Sequence, residues 1–181
     1  VTFVYVDSTQ GWVNIMDSTS NVRGNPYIVA TGGTISCCGN DKIHKFIGPG
    51  TFTVCKTALC AANNLVSYAV IAGGGGGGIV RAGAGGAGGY RELKSPSTPY
   101  TASPLDGYPN APNRITVTAT SFPITVGAGG GAGAGAACGP GTYVAATPGN
   151  NSIFSTIIST GGGKGGSSAP PTFPSTELGG G

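Results

Sequence analysis

Leu65-Val66-Ser67-Tyr68-Ala69-Val70-Ile71-Ala72-Gly73-Gly74-Gly75-Gly76-Gly77-Gly78 joins an apolar, strand-like run directly to six consecutive glycines. Glycine loses more conformational entropy on folding than any other residue and brings no side chain to bury. Such a stretch is therefore either a flexible linker or a place where bare backbones stack and no Cβ would fit. Three features favour stacking. The tract abuts the most apolar run in the chain, alanine is its main companion in the later tracts, and similar tracts return at 83–89, 127–135 and 161–166. Glycine chains can adopt an extended threefold conformation of the polyproline II type, whose amides and carbonyls point outward for lateral neighbours to satisfy. Gly73, Gly74, Gly75, Gly76, Gly77 and Gly78 in this form span roughly 19 Å. They are expected to be a structural layer.

Composition supports an ordered chain. Glycine contributes 36 of 181 residues, against a usual share of about 7%. Charged residues are only 8% while hydrophobic ones are 39%, the reverse of the low-hydrophobicity, high-charge pattern of disorder. The net charge of +3 comes from single, scattered lysines and arginines, which argues against a nucleic-acid partner because phosphate binding needs a concentrated basic patch. No apolar run approaches the roughly 20 residues of a membrane helix, so a membrane partner is not expected either. The chain starts inside an alternating run, without an initiator methionine or signal peptide, and reads as a slice of a longer polypeptide.

The fold expected is all-β: short strands with glycine-rich, polyproline-II-like tracts and little or no α-helix, because no stretch of helical length keeps a 3.6-residue apolar period. Three regions follow. Residues 1–30 form an N-terminal β element, read as the end of a preceding fibre repeat. Residues 31–160 are the β-rich, glycine-rich domain, and 161–181 a Gly/Ser/Pro-rich extension expected to be mostly unpaired. Strands are expected at 1–6, 12–15, 26–30, 34–38, 42–47 and 51–55. In 51–55, Phe52 and Val54 alternate with threonines, the period of a half-buried strand. Further strands are expected at 65–72 (a central one), 90–94, 114–119, 122–126, 142–146 and, as a single strand, 151–158.

Catalytic and metal sites are poorly supplied, and no cofactor is expected. His44 is the one histidine and reads as structural. Cys37, Cys38, Cys55, Cys60 and Cys138 form no CxxC or His-containing set; disulfides are plausible outside cells, with the pairing open. Gly83-Ala84-Gly85-Gly86-Ala87-Gly88 fits G-x-G-x-x-G literally, but Pro96, Pro99 and Pro104 forbid the helix a dinucleotide site needs. Gly163-Lys164-Gly165 lacks the Ser or Thr of a P-loop. Glu92 and Asp106 share a proline-rich region and could approach each other, though nothing in their spacing demands a glycosidase pair. The chain is not expected to be an enzyme. Tyrosines near the glycine tracts either stack on sugar faces or cap the glycine layers as core. On the first reading, Tyr90, Arg91, Tyr100, Asp106 and Tyr108 are the ligand contacts.

The order of these pieces carries a resemblance. Gly50-Thr51-Phe52-Thr53-Val54 leads to Tyr68-Ala69-Val70-Ile71-Ala72 and Gly73 to Gly78. Ala84-Gly85-Gly86-Ala87-Gly88-Gly89-Tyr90-Arg91-Glu92 follows, and Ile124-Thr125-Val126-Gly127-Ala128-Gly129-Gly130 closes the series. This resembles the glycine-rich domain of bacteriophage tail fibres and related virion structural proteins. The stretch from Phe3 to Val13 resembles segments that precede such domains. The resemblance implies a structural component of a tail fibre or other virion surface fibre, located on the virion and so extracellular, with host-surface polysaccharide as the ligand. It carries no catalytic motif. A homotrimer is favoured, since exposed strand edges and few charges suit intermolecular packing. Two alternatives stay open: a self-assembling extracellular filament protein, and an ice-binding protein, whose strict Gly-x-x period this chain lacks.

Overall fold

The computed structural model describes residues 3–14, 24–79, 82–95, 101–107, 113–135 and 143–167. Within them the chain is all-β without an α-helix, and a 3-10 turn at Ala61–Asn64 lies between the strands Gly50–Lys56 and Tyr68–Ile71. No helix there is long and apolar enough to cross a membrane.

The strands are β1 (Phe3–Tyr5), β2 (Trp12–Asn14), β3 (Val29–Thr31), β4 (Thr34–Cys38), β5 (Asp41–Lys45), β6 (Gly50–Lys56), β7 (Tyr68–Ile71), β8 (Tyr90–Leu93), β9 (Ser121–Thr125), β10 (Ser152–Phe154) and β11 (Ile157–Ser159). An antiparallel five-stranded sheet runs β11-β10-β9-β6-β3, and β1-β2, β4-β5 and β7-β8 are separate two-stranded ribbons. In β6 the alternation of Phe52 and Val54 with threonines puts both on the buried face, as the sequence period requires. Registers Phe52↔Phe122 and Phe154↔Ile124 carry that face across the sheet. The rings of Phe52, Phe122 and Phe154 meet there at centroid separations of 6.1 to 6.3 Å. Val70, Ile115 and Val117 close the core from the other side.

Several strand expectations need correction. The run 65–72 is not a central strand: β7 pairs only with β8, and that ribbon packs on β10 and β11. Val70 points into the core while Ile71 is 63% exposed, so the continuous apolar run hides a one-sided ribbon. Residues 114–119 form no strand; Thr116 makes an isolated bridge to Leu65, and hydrogen bonds from Val66 and Val117 pin the segment against 64–66. Residues 151–158 are a hairpin, because Ser155 takes a positive φ of 54° and reverses the chain between β10 and β11. Pro123 is tolerated in β9 because the β10 ladder covers only Ile124 and Thr125, leaving one side of Pro123 without a partner strand.

The four described cysteines, Cys37, Cys38, Cys55 and Cys60, are exposed free thiols, so the disulfide expectation does not hold for them; Cys138 lies outside the described residues. His44 is structural: its ring stands edge-on to Phe52 at 5.1 Å and its Nδ1 bonds the Gly32 carbonyl at 2.8 Å.

Candidate functional site: the glycine bundle and the ribbon at its base

Five extended tracts leave or enter the strands at one end of the fold. Tract I (72–78) continues β7, tract II (83–89) runs into β8, tract III (127–133) continues β9, tract IV (146–150) runs into β10, and tract V (160–166) continues β11. Their main-chain hydrogen bonds recur every three residues, the period of polyproline II. The amides of Ala72, Gly75 and Gly78 donate to the carbonyls of Gly89, Gly86 and Gly83, at 2.9 to 3.0 Å. Gly73 and Gly76 donate to Asn150 and Thr147 of tract IV. Gly130 and Gly133 donate into tract I at Gly74 and Gly77, and Gly162 and Gly165 at Gly73 and Gly76. Tract I is therefore the axis, with tracts II, V, IV and III around it. Rising residue numbers pair with falling ones against II and IV and with rising ones against III and V, so two neighbours are antiparallel and two parallel.

Glycine is needed here for space. None of the glycines at 73–78, 83–89, 127–133 or 161–166 has a positive φ. A Cβ on Gly73, Gly75, Gly76 or Gly78 would instead overlap the carbonyl of Ala128, Gly163, Gly131 or Gly166, respectively. Gly85 and Gly88 are blocked by the carbonyls of Gly75 and Ala72, and Gly162 and Gly165 by those of Gly86 and Gly83. The alanines occupy what is left: Ala84, Ala87, Ala128 and Ala132 are all exposed. The tracts therefore stack laterally as the sequence anticipates.

Tract IV was hidden in the sequence, and tract V lies in a segment expected to be mostly unpaired. Tract IV, Ala146-Thr147-Pro148-Gly149-Asn150, carries one glycine, placed where a Cβ would meet the Gly73 carbonyl. The expected strand at 142–146 is only an isolated bridge, Ala134↔Val144, within the described residues. Pro148 was the available signal, since proline fixes the φ of this conformation. Tract V corrects the reading of 161–181 as unpaired: Gly162 and Gly165 are buried and donate their amides to tract I, and Gly162 also accepts from Gly149, whereas 168–181 lie outside the described residues. Side chains finish the bundle's ends. Ser152 Oγ accepts from the Gly127 amide, Asn151 Oδ1 from Gly161, and Ser167 Oγ from Ile79.

At the base of tracts I and II lies the ribbon bearing the sequence-assigned contacts. Alternation along β8 puts Tyr90 and Glu92 on one face and Arg91 and Leu93 on the other, where Leu93 is 0% exposed. Loop 101–107 is tied to β8 beside the first face. Glu92 and Asp106 form a parallel bridge, and the Gly107 amide donates to the Glu92 carbonyl at 2.8 Å. Buried Glu92 accepts the Ser103 amide at 3.0 Å on Oε2, and Asp106 Oδ1 accepts the Lys94 amide at 2.9 Å. The Tyr90 phenol is raised above its usual 10.0 by desolvation first, then by the Glu92 carboxylate, to which it hydrogen-bonds. Burial likewise raises Tyr68, with Arg91 opposing and Asp106 adding to the rise; its hydroxyl donates to the Asn113 carbonyl at 2.6 Å.

Of the assigned contacts, Tyr90 and Asp106 thus come together around Glu92. Arg91 points to the opposite face, and Tyr100 and Tyr108 lie outside the described residues. Glu92 and Ser103 are the members that the contact assignment missed. The Tyr90-x-Glu92 spacing was the signal for the first. Both carboxylates spend an oxygen on a main-chain amide, so their evident work is to dock the loop and orient Tyr90.

Fold and bundle define a class: an all-β protein whose strands run on into laterally bonded glycine tracts. The chain belongs to the glycine-rich domain family, whose model matches residues 48–181. That match begins just before β6 and takes in every tract. No curated protein and no solved structure matches the chain.

Proposed function

We propose that this chain is a structural segment of a bacteriophage tail fibre or other virion surface fibre, working outside the cell as a homotrimer and contacting host-surface polysaccharide. It acts without catalysis or cofactor, and without a nucleic-acid or membrane partner. The observation that carries this reading is the bundle. Five strands each extend into a tract held by main-chain hydrogen bonds, giving a spacer about 20 Å long from closely packed, glycine-rich backbone. Such a spacer suits a part that must project from a particle and hold its connections in place. Tyr90, beside the docked 101–107 loop, supplies an aromatic ring of the kind that stacks on sugar faces.

Immunogold electron microscopy with an antibody to this chain tests the proposal. Label on projecting fibres of virions, together with a threefold mass in solution, is the expected result. Label confined to free filaments would replace it with the self-assembling filament reading. Retention on host polysaccharide should fall at least severalfold in Tyr90→Ala; unchanged retention would remove Tyr90 from the contact surface.

A further inference from the structure

The five-stranded sheet ends on β3, whose outer edge is unpaired in the ladder. Val54, opposite Ala30, sends its amide to Thr120 on the β9 side, so Ala30 and Val54 form a non-hydrogen-bonded pair. The main-chain groups of Ala30, and by alternation those of Gly32, therefore face the open edge. Two side chains occupy their carbonyls. Lys42 Nζ donates to Ala30 O at 3.1 Å, and the His44 ring bonds Gly32 O at 2.8 Å through Nδ1. Both come from one face of β5, two residues apart, and they meet carbonyls two residues apart, one on β3 and one on the residue just after it. The side-chain spacing of one strand matches the carbonyl spacing of the other.

The Gly32-Gly33 corner makes this possible. Both residues have positive φ, +107° and +65°, and a Cβ on Gly33 would meet the Lys45 carbonyl. The chain folds back there, and the β4-β5 ribbon lies along the edge without pairing to it.

We infer that Lys42 and His44 are a guard on the β3 edge, and that removing their donors opens it to strand pairing with a second copy of this chain. A second copy is the fitting occupant for two reasons. An antiparallel pair of identical strands is self-complementary about a twofold axis. Val29-Ala30-Thr31 also carries no charge that would repel its own image. An edge lysine is a common device against such association, because pairing would bury its ammonium.

The test is Lys42→Met with His44→Phe, which keeps the aliphatic stem and the ring against Phe52 while deleting both donors. Light scattering after size exclusion should show a concentration-dependent doubling of mass over the wild type, with the Ala30 and Gly32 amides exchanging more slowly in the larger species. Lys42→Arg, which keeps a donor, should retain the wild-type mass. A folded double variant that keeps the wild-type mass across the same concentrations would overturn the inference. If the double variant does not fold, Lys42→Met alone decides, since that side chain is exposed. It should shift the mass in the same direction, and no shift would overturn the inference. In the wild type, nitrogen NMR should find the His44 proton on Nδ1; a proton only on Nε2 would remove half of the guard.

Discussion

Gly76→Ala and Gly77→Ala, adjacent substitutions of identical chemistry, should move stability in opposite directions. Gly76 is buried on the axis of the bundle, and its added Cβ would overlap the Gly131 carbonyl and crowd the Ala132 amide nitrogen, both main-chain atoms of tract III. Main chain cannot rotate aside, so tracts I and III must separate, and the 2.8 Å bonds from Gly130 to Gly74 and from Gly133 to Gly77 are strained or lost. Two such bonds contribute about 0.5–1.5 kcal/mol each, and overpacking adds about 1–3 kcal/mol. The restricted unfolded chain returns about 0.4–1 kcal/mol. The net loss is about 3 kcal/mol, or about 6–12 °C in Tm for a chain of this size. At Gly77 the nearest atom to a Cβ is the Gly83 carbonyl oxygen at 4.0 Å, and φ is not in the left-handed region. There only the unfolded-state effect remains, and Tm should rise by about 1–4 °C. Calorimetric or circular-dichroism melts of the two variants beside the wild type give the answer. Equal shifts would refute the reasoning, since a flexible or loosely stacked tract has no cause to distinguish neighbouring glycines.

Three further outcomes are expected. Stability should fall as pH rises above about 10, because the phenols of Tyr68 and Tyr90 are raised in the folded state and keep their protons there while the unfolded chain loses them. That contribution is complete below the unfolded value and is lost as pH passes the folded one, so urea midpoints of the Tyr68→Phe/Tyr90→Phe variant should decline less steeply than wild type in that range. Ser159→Ala should cost about 1–3 kcal/mol, measured by urea unfolding, because the 0%-exposed hydroxyl donates to the Val70 carbonyl at 2.7 Å and ties β11 to β7. Asp106→Ala should speed hydrogen exchange at the Lys94 and Gly107 amides by freeing the 101–107 loop, with the Gly75 amide, deep in the bundle, unchanged.

Much of this was legible in the residues. Phe52 and Val54 declared their strand by alternation, and the glycine runs declared close backbone packing. What sequence obscured follows from two physical points. A single apolar run cannot say whether its strand is central or one-sided; only the facing sheet exposes Ile71 and buries Val70. An extended threefold tract also does not need to be rich in glycine. It needs glycine only at positions pressed on a neighbour, so Thr147-Pro148-Gly149-Asn150, with its one glycine, carried no glycine-run signal. The docking of Glu92 and Asp106 was visible only as proximity in a proline-rich region. Their main-chain partners, Ser103 and Lys94, depend on how the loop folds back.

The three-residue bonding period also restricts how this domain can change in length. Losing or gaining one or two residues within a tract turns every later position by a third or two-thirds of a circle. That carries alanines into the axis and moves the Cβ-free positions outward. Only multiples of three preserve the pattern, and because tract I is bonded to all four others, its neighbours must change with it. The bundle should therefore vary among relatives in increments of about 9 Å, with all five tracts growing or shrinking together.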